Sequence, residues 1–210
     1  MHLSVTIDRK SFLLGSLIAV LLAGIFFRIS SGFSLVAAQL PGILFAWAVF
    51  SWMYLRQTEL ANAGDVLPVY FTALAVYCIH FAEQFTMGFA EEMPRLYGAA
   101  AYSADEFVVY AMVCAALFVL TSLAVFLRAA TFLLVPVLFF SVNSVFGSAF
   151  AQTWWSIEVG GYFPGLLTSL ANWILGPVLI ALLVGNFRTS AAVIVGFGVV
   201  LGLSLAFFEA

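Results

Sequence analysis

Apolar residues fill the chain in long blocks, and polar residues serve mainly as punctuation between them. Seven blocks stand out, over about 11–28, 34–55, 66–87, 105–127, 131–152, 163–185 and 190–208. A membrane-crossing helix needs about 20 consecutive apolar residues, and each block is close to that length. The breaks are short. Arg56–Asp65 separates the second block from the third, Arg128-Ala129-Ala130 the fourth from the fifth, and Asn186-Phe187-Arg188 the sixth from the seventh. The longest break, Gly88–Ala104, carries Glu91, Glu92, Pro94, Arg95 and Gly98. The pattern predicts an all-α fold: a polytopic transmembrane helical bundle of about seven spans, with six as the alternative count. No stretch remains for a soluble domain, and residues 1–210 read as one transmembrane domain.

Composition agrees with the pattern. Of 210 residues, 65% are hydrophobic and 8% are charged, where soluble domains carry about 25% charged residues. A soluble core of this size leaves too much apolar surface outside. In a bilayer the surroundings are apolar too. The net charge of −3 and the absence of any Lys/Arg run exclude a nucleic-acid partner. Cys78 and Cys114 both lie inside apolar blocks and read as small packing residues.

Arg9 and Lys10 ahead of Phe12–Phe27 have the outline of a signal peptide. The block is long, however, and Arg28 separates it from the next small residues, so it is expected to be a retained first span. The seven basic residues then set the orientation. With the N-terminus cytoplasmic, Arg9, Lys10, Arg56, Arg128 and Arg188 lie inside, and Arg28 and Arg95 outside. A bacterial inner (cytoplasmic) membrane is the expected location.

Several local expectations follow. Asp105 reads as a helix N-cap, with Ser103 as the alternative. Glu91, Glu92, Asp105 and Glu106 read as solvated loop charges, or one of them as a second carboxylate above the site described next. Trp154 and Trp155 read as interface anchors. Pro164 suits a first helical position, and Pro177 a kink in the sixth span. Gly196, Gly198 and Gly202 suit close packing of the last span.

One block alone carries ionisable residues well inside it: Tyr77-Cys78-Ile79-His80-Phe81-Ala82-Glu83-Gln84. Buried charge is costly in lipid and marks function more often than it does in water. His80 and Glu83 are three apart, Gln84 is four from His80, and Tyr77 is one turn earlier, so the four share a helical face. At a rise of about 1.5 Å per residue, His80 falls about 21 Å along its span, in the outer half. Tyr110, Asn143, Gln152, Thr168 and Asn172 fall at comparable depth on three other spans. The His–Glu pair fits three roles: ligands to a divalent metal ion, acid/base proton transfer, or a self-satisfied packing pair.

At these residues the chain resembles the HXXEE family of small bacterial membrane proteins. The motif stands here as His80-Phe81-Ala82-Glu83-Gln84, followed by Gly88-Phe89. Asn143 and the stretch Tyr162-Phe163-Pro164-Gly165-Leu166-Leu167-Thr168 also match that family in order and spacing, so the likeness covers about 70–185. The second Glu of the motif is Gln84 here, which cannot be an anionic ligand or a base. The His expected soon after Asn143 is missing, since 144–152 reads SVFGSAFAQ. The resemblance supports the choice of site and implies no particular reaction.

Three functions follow. In the first, an enzyme acts on a lipid-like substrate, with His80 and Glu83 catalytic or metal-binding and with Gln84, Asn143, Tyr162, Thr168 and Asn172 at the substrate or behind the catalytic pair. The second is a non-catalytic scaffold, and the third a carrier of protons or a small solute. Membrane lipids are the expected partners.

Overall fold

The computed structural model describes residues 5–209 and is helical throughout, with no strand among the described residues. Eight helices follow in order: α1 Arg9–Ile29, α2 Ser34–Leu55, α3 Ala63–Thr86, the short α4 Phe89–Arg95, α5 Ala104–Arg128, α6 Thr131–Glu158, α7 Leu166–Val184 and α8 Phe187–Phe208. All but α4 are long and apolar enough to cross a membrane. The protein is a multi-pass helical membrane bundle.

The helix starts follow ordinary capping chemistry. Asp8 accepts from the Ser11 N–H, and Asn186 accepts from the Thr189 N–H. At α5 the cap is Ser103 rather than Asp105: its hydroxyl accepts from the Glu106 N–H, and Glu106 reaches back to the Ser103 N–H in a capping box. That geometry requires Glu three residues after the cap, which Asp105 does not have. Glu106 is therefore held by its own helix end, and Glu92 pairs with Arg95.

The outer faces are apolar. Leu13, Leu17, Val20, Leu21 and Ile25 of α1 are all exposed, as are Leu167, Leu170 and Ile174 of α7. A continuous apolar exterior of this kind is incompatible with water and suits lipid.

The buried centre is α6. Every residue from Leu134 to Gly147 is buried except the half-buried Ser144. Its middle, Phe140–Gly147, is π-helical, a conformation that inserts extra residues into a helix and recurs at functional sites. The neighbours come very close because glycine faces it. A Cβ on Gly42 of α2 would lie 2.3 Å from the Asn143 side chain, and one on Gly176 of α7 would lie 2.6 Å from Phe146 Cβ. These two contacts are tighter than any made by Gly196, Gly198 or Gly202, the glycines singled out from the sequence. α6 also runs to Glu158, past the expected end at residue 152. Nothing breaks the helix before Gly160-Gly161, and six further residues join the bundle. Trp155 is among them. It is 2% exposed and donates to the Tyr97 hydroxyl at 3.0 Å, so it is a core residue rather than an interface anchor. Trp154 is half-buried and donates to Glu209 at 2.8 Å.

The segment after α3 folds back over one end of the bundle. Met93 and Tyr97 are buried there. The Tyr102 hydroxyl accepts from the Ser31 N–H at 2.8 Å and meets the Ser34 hydroxyl at 2.7 Å, tying this cover to the α1–α2 turn.

Candidate functional site

The site lies under that cover, where the C-terminal part of α3 meets the start of α7. The expected start of α7 at Pro164 is displaced to Leu166, and Gly165 adopts φ +99°. This left-handed turn is open to glycine at little cost. It also needs a residue without a side chain. A Cβ on Gly165 would lie 2.8 Å from His80 Cε1, 2.9 Å from Gln84 Cγ and 3.0 Å from Gln152 Nε2. Gly165 thus presses the N-terminus of α7 onto α3.

Glu83 receives that N-terminus. One carboxylate oxygen accepts from the Tyr162 hydroxyl at 2.7 Å and the Leu167 N–H at 3.0 Å. The other accepts from the Thr168 N–H at 2.8 Å and from the Thr168 hydroxyl. The first turn of a helix leaves its N–H groups without intrahelical partners and carries partial positive charge. Here α3 supplies the anion that α7 lacks. Tyr162, in the turn outside the spans, is driven above its ordinary pKa of 10.0 by partial burial and by the bond it donates to Glu83.

Thr168 links this cap to His80, whose Nδ1 lies 2.8 Å from the Thr168 hydroxyl oxygen. The direction of the chain follows from the donor count. A carboxylate only accepts, and the threonine hydroxyl has one proton. That proton goes to Glu83, so His80 must donate from Nδ1 to threonine. The neutral imidazole is then the Nδ1–H tautomer, and its Nε2 carries a lone pair. His80 is 3% exposed, and Nε2 has no hydrogen-bond partner.

His80 lines a partly open cavity of about 150 Å³. The wall includes Tyr77, Phe81 and Gln84 of α3, Gln39 of α2, Tyr110 and Cys114 of α5, and Asn143, Gln152 and Trp155 of α6. Two more buried polar atoms on lining residues lack partners, Asn143 Oδ1 and Gln152 Oε1. Asn143 donates its Nδ2 to Gln39 Oε1 at 2.7 Å. Unpartnered buried polar atoms are uncommon and each calls for a cause; three of the five among the described residues are on residues around this hollow, and Ser156 Oγ and Asn172 Oδ1 are not.

The residues expected from the sequence therefore divide. His80, Gln84 and Asn143 line the cavity, whereas Glu83, Tyr162 and Thr168 form a bonded network behind His80. Asn172 does neither: it donates to Ser148 at 2.9 Å and joins α7 to α6. Asp105 and Glu106 are outside this cavity, and Glu106 borders a separate hollow with Arg28. As joint metal ligands, His80 and Glu83 are already engaged: Nδ1 meets the Thr168 hydroxyl, and the Glu83 oxygens accept from four donors. Among the described residues, no three His, Cys, Asp or Glu side chains gather as a metal site. Gln39 and Gln152 are additional cavity residues. Gln152 was visible in the sequence as a polar residue at the right depth. Gln39 had no signal beyond being a lone amide in an apolar block.

No protein-family model, no curated protein and no solved structure matches the chain.

Proposed function

We propose that the protein is an intramembrane acid/base catalyst acting on a lipid-like substrate, with His80 as the proton-transfer residue. The observation that carries this reading is the buried, unpartnered Nε2 of His80, a residue of the cavity wall, with two more unpartnered amide oxygens on the wall residues Asn143 and Gln152. A packing histidine would have both ring nitrogens satisfied or would face hydrocarbon. In the proposed step, Nε2 takes a proton from a substrate X–H bond, and the ring becomes cationic. The charge is balanced through the Thr168 hydroxyl by Glu83, which stays ionised under its four donors. Glu83 and Thr168 are positioning residues: they hold the tautomer and ring orientation, as carboxylates behind catalytic histidines do. Returning the proton to another substrate atom gives isomerisation; taking it instead from a water that attacks the substrate, and passing it to the leaving group, gives hydrolysis.

The one-sided position of the cavity favours this over carriage. The lining comes from the C-terminal parts of α1 and α3, the short α4 and Tyr102 after it, the N-terminal halves of α2 and α5, and the middle and later part of α6. These all lie between the middle of the bundle and one end, and residues from the opposite end do not line the cavity. With the N-terminus cytoplasmic in a bacterial inner membrane, that end is the outer half. Membership of the HXXEE family belongs to the same proposal. It is supported by His80, Glu83, Tyr162, Gly165 and Thr168, the motif residues of the resemblance, which meet at one place.

The test is isotope uptake. Purified protein is incubated with a total bacterial lipid extract in D₂O, and lipids are analysed by mass spectrometry. Wild type should add deuterium, or the elements of water, to at least one lipid species, and His80→Asn should not. A lipid profile unchanged by the wild type would overturn the proposal.

A further inference from the structure

The cavity also carries information about the polar end of its ligand. No Lys, Arg, Asp or Glu lines it. A phosphate, carboxylate or ammonium entering it would leave water without gaining a counter-charge, which is costly in a low-dielectric interior. The polar residues of its wall are neutral, among them His80, whose Nε2 is unpartnered, the amides of Gln39, Gln84, Asn143 and Gln152, and the hydroxyls of Tyr77, Tyr102 and Tyr110. His80 Nε2 can only accept while the ring is neutral, because Nδ1 holds the proton. The ligand must therefore bring a donor hydrogen to it. An amide both donates and accepts, so the ligand's polar atom must also be able to work in both directions. Hydroxyl is the simplest group that does so without charge.

We infer that the site takes an uncharged amphiphile whose polar end is a hydroxyl, an alcohol of long-chain or polycyclic type. The hydroxyl donates to His80 Nε2, and its oxygen accepts from an amide N–H of Gln152 or Asn143. About 150 Å³ holds the polar end and its first carbons. The remaining chain leaves between α3 and α5, where Phe81, Phe107 and Tyr110 of the wall are half-buried. The inference rests on His80 Nε2 being the free nitrogen, as the proposed function does, but it concerns binding and not turnover.

The test uses the full chain in lipid nanodiscs and native mass spectrometry. The probes are a long-chain primary alcohol and the amine, carboxylate and alkane of equal chain length. The alcohol should bind with one-to-one stoichiometry, with the amine, carboxylate and alkane each at least about tenfold weaker. Gln152→Leu and His80→Leu should each weaken the alcohol several-fold, the scale of one lost hydrogen bond, and leave the alkane unchanged. Equal or tighter binding of the amine or carboxylate overturns the inference, and so does failure of the alcohol to bind. The comparison among probes needs only wild type, so misfolding of a variant does not remove the test. Alcohol binding without deuterium uptake would sink the catalytic proposal alone; uptake without alcohol selectivity would sink this one alone.

Discussion

The carboxylate of Glu83 holds Thr168 twice, by its main-chain N–H at 2.8 Å and by its hydroxyl, across 85 residues of sequence. One side chain of α3 thereby caps α7 and orders the hydroxyl that His80 meets. Removing it leaves the Leu167 and Thr168 N–H groups without their acceptor. Glu83→Ala should cost about 0.5–2 kcal/mol, the range for a lost helix cap. Glu83→Gln should cost less, because one oxygen remains. Thr168→Val should cost roughly 1 kcal/mol. The double variant should fall short of the sum by about 0.5 kcal/mol or more, as expected for groups in one network. Unfolding in detergent followed by circular dichroism measures all four proteins, and strict additivity would show the two residues to be independent.

The same chain fixes the His80 tautomer. Nitrogen NMR of histidine-labelled protein at neutral pH should show Nδ1 protonated and Nε2 bare. Thr168→Val deletes the acceptor of the Nδ1 proton and should shift the ring toward the Nε2–H form. A wild-type ring already in the Nε2–H form would contradict the direction of the His80–Thr168–Glu83 chain.

Gly165 is where backbone and site depend on each other. A Gly165→Ala side chain would meet His80 and Gln84 within 3 Å and would sit at φ +99°. Strained backbone of this kind costs about 1–3 kcal/mol per residue, and the contacts add to it. Gly161→Ala has nothing within 4 Å and an ordinary φ, so it is the matched control. Thermal unfolding should separate the two clearly, with Gly165→Ala lower and Gly161→Ala near wild type.

The seven spans were legible because lipid imposes one rule on all of them: long apolar blocks with every backbone group bonded inside the helix. The site was legible in part for the same reason, since His80 and Glu83 are conspicuous in an apolar block. Their division of labour was not. A spacing of three places two residues on one face, yet the 60° between them is enough to send His80 to the cavity and Glu83 to the end of α7. Nor did the sequence mark Trp155 as core. Its position depends on α6 continuing past residue 152, and only the absence of a breaker before Gly160 signals that. The Asn143–Gln39 bond was hidden for a further reason. It depends on which helices adjoin, and Gly42, which allows the approach, looks in sequence like any other helix glycine.

Tyr162 gives the network a pH signature. Its hydroxyl donates to Glu83 at 2.7 Å, and partial burial together with that bond raises its pKa above 10.0. The sign follows from which form makes the bond. Neutral tyrosine donates; tyrosinate cannot, and would face the Glu83 carboxylate as a like charge. The contribution of this contact is therefore complete below pH 10.0 and is lost as pH rises through the higher folded-state value. Wild type and Tyr162→Phe should differ in stability by a constant amount from neutral pH to about pH 10. Above that, the difference should shrink. Tyrosinate absorbance of wild type minus Tyr162→Phe reports the ionisation directly, and a midpoint at or below 10.0 would mean that Glu83 does not hold this hydroxyl.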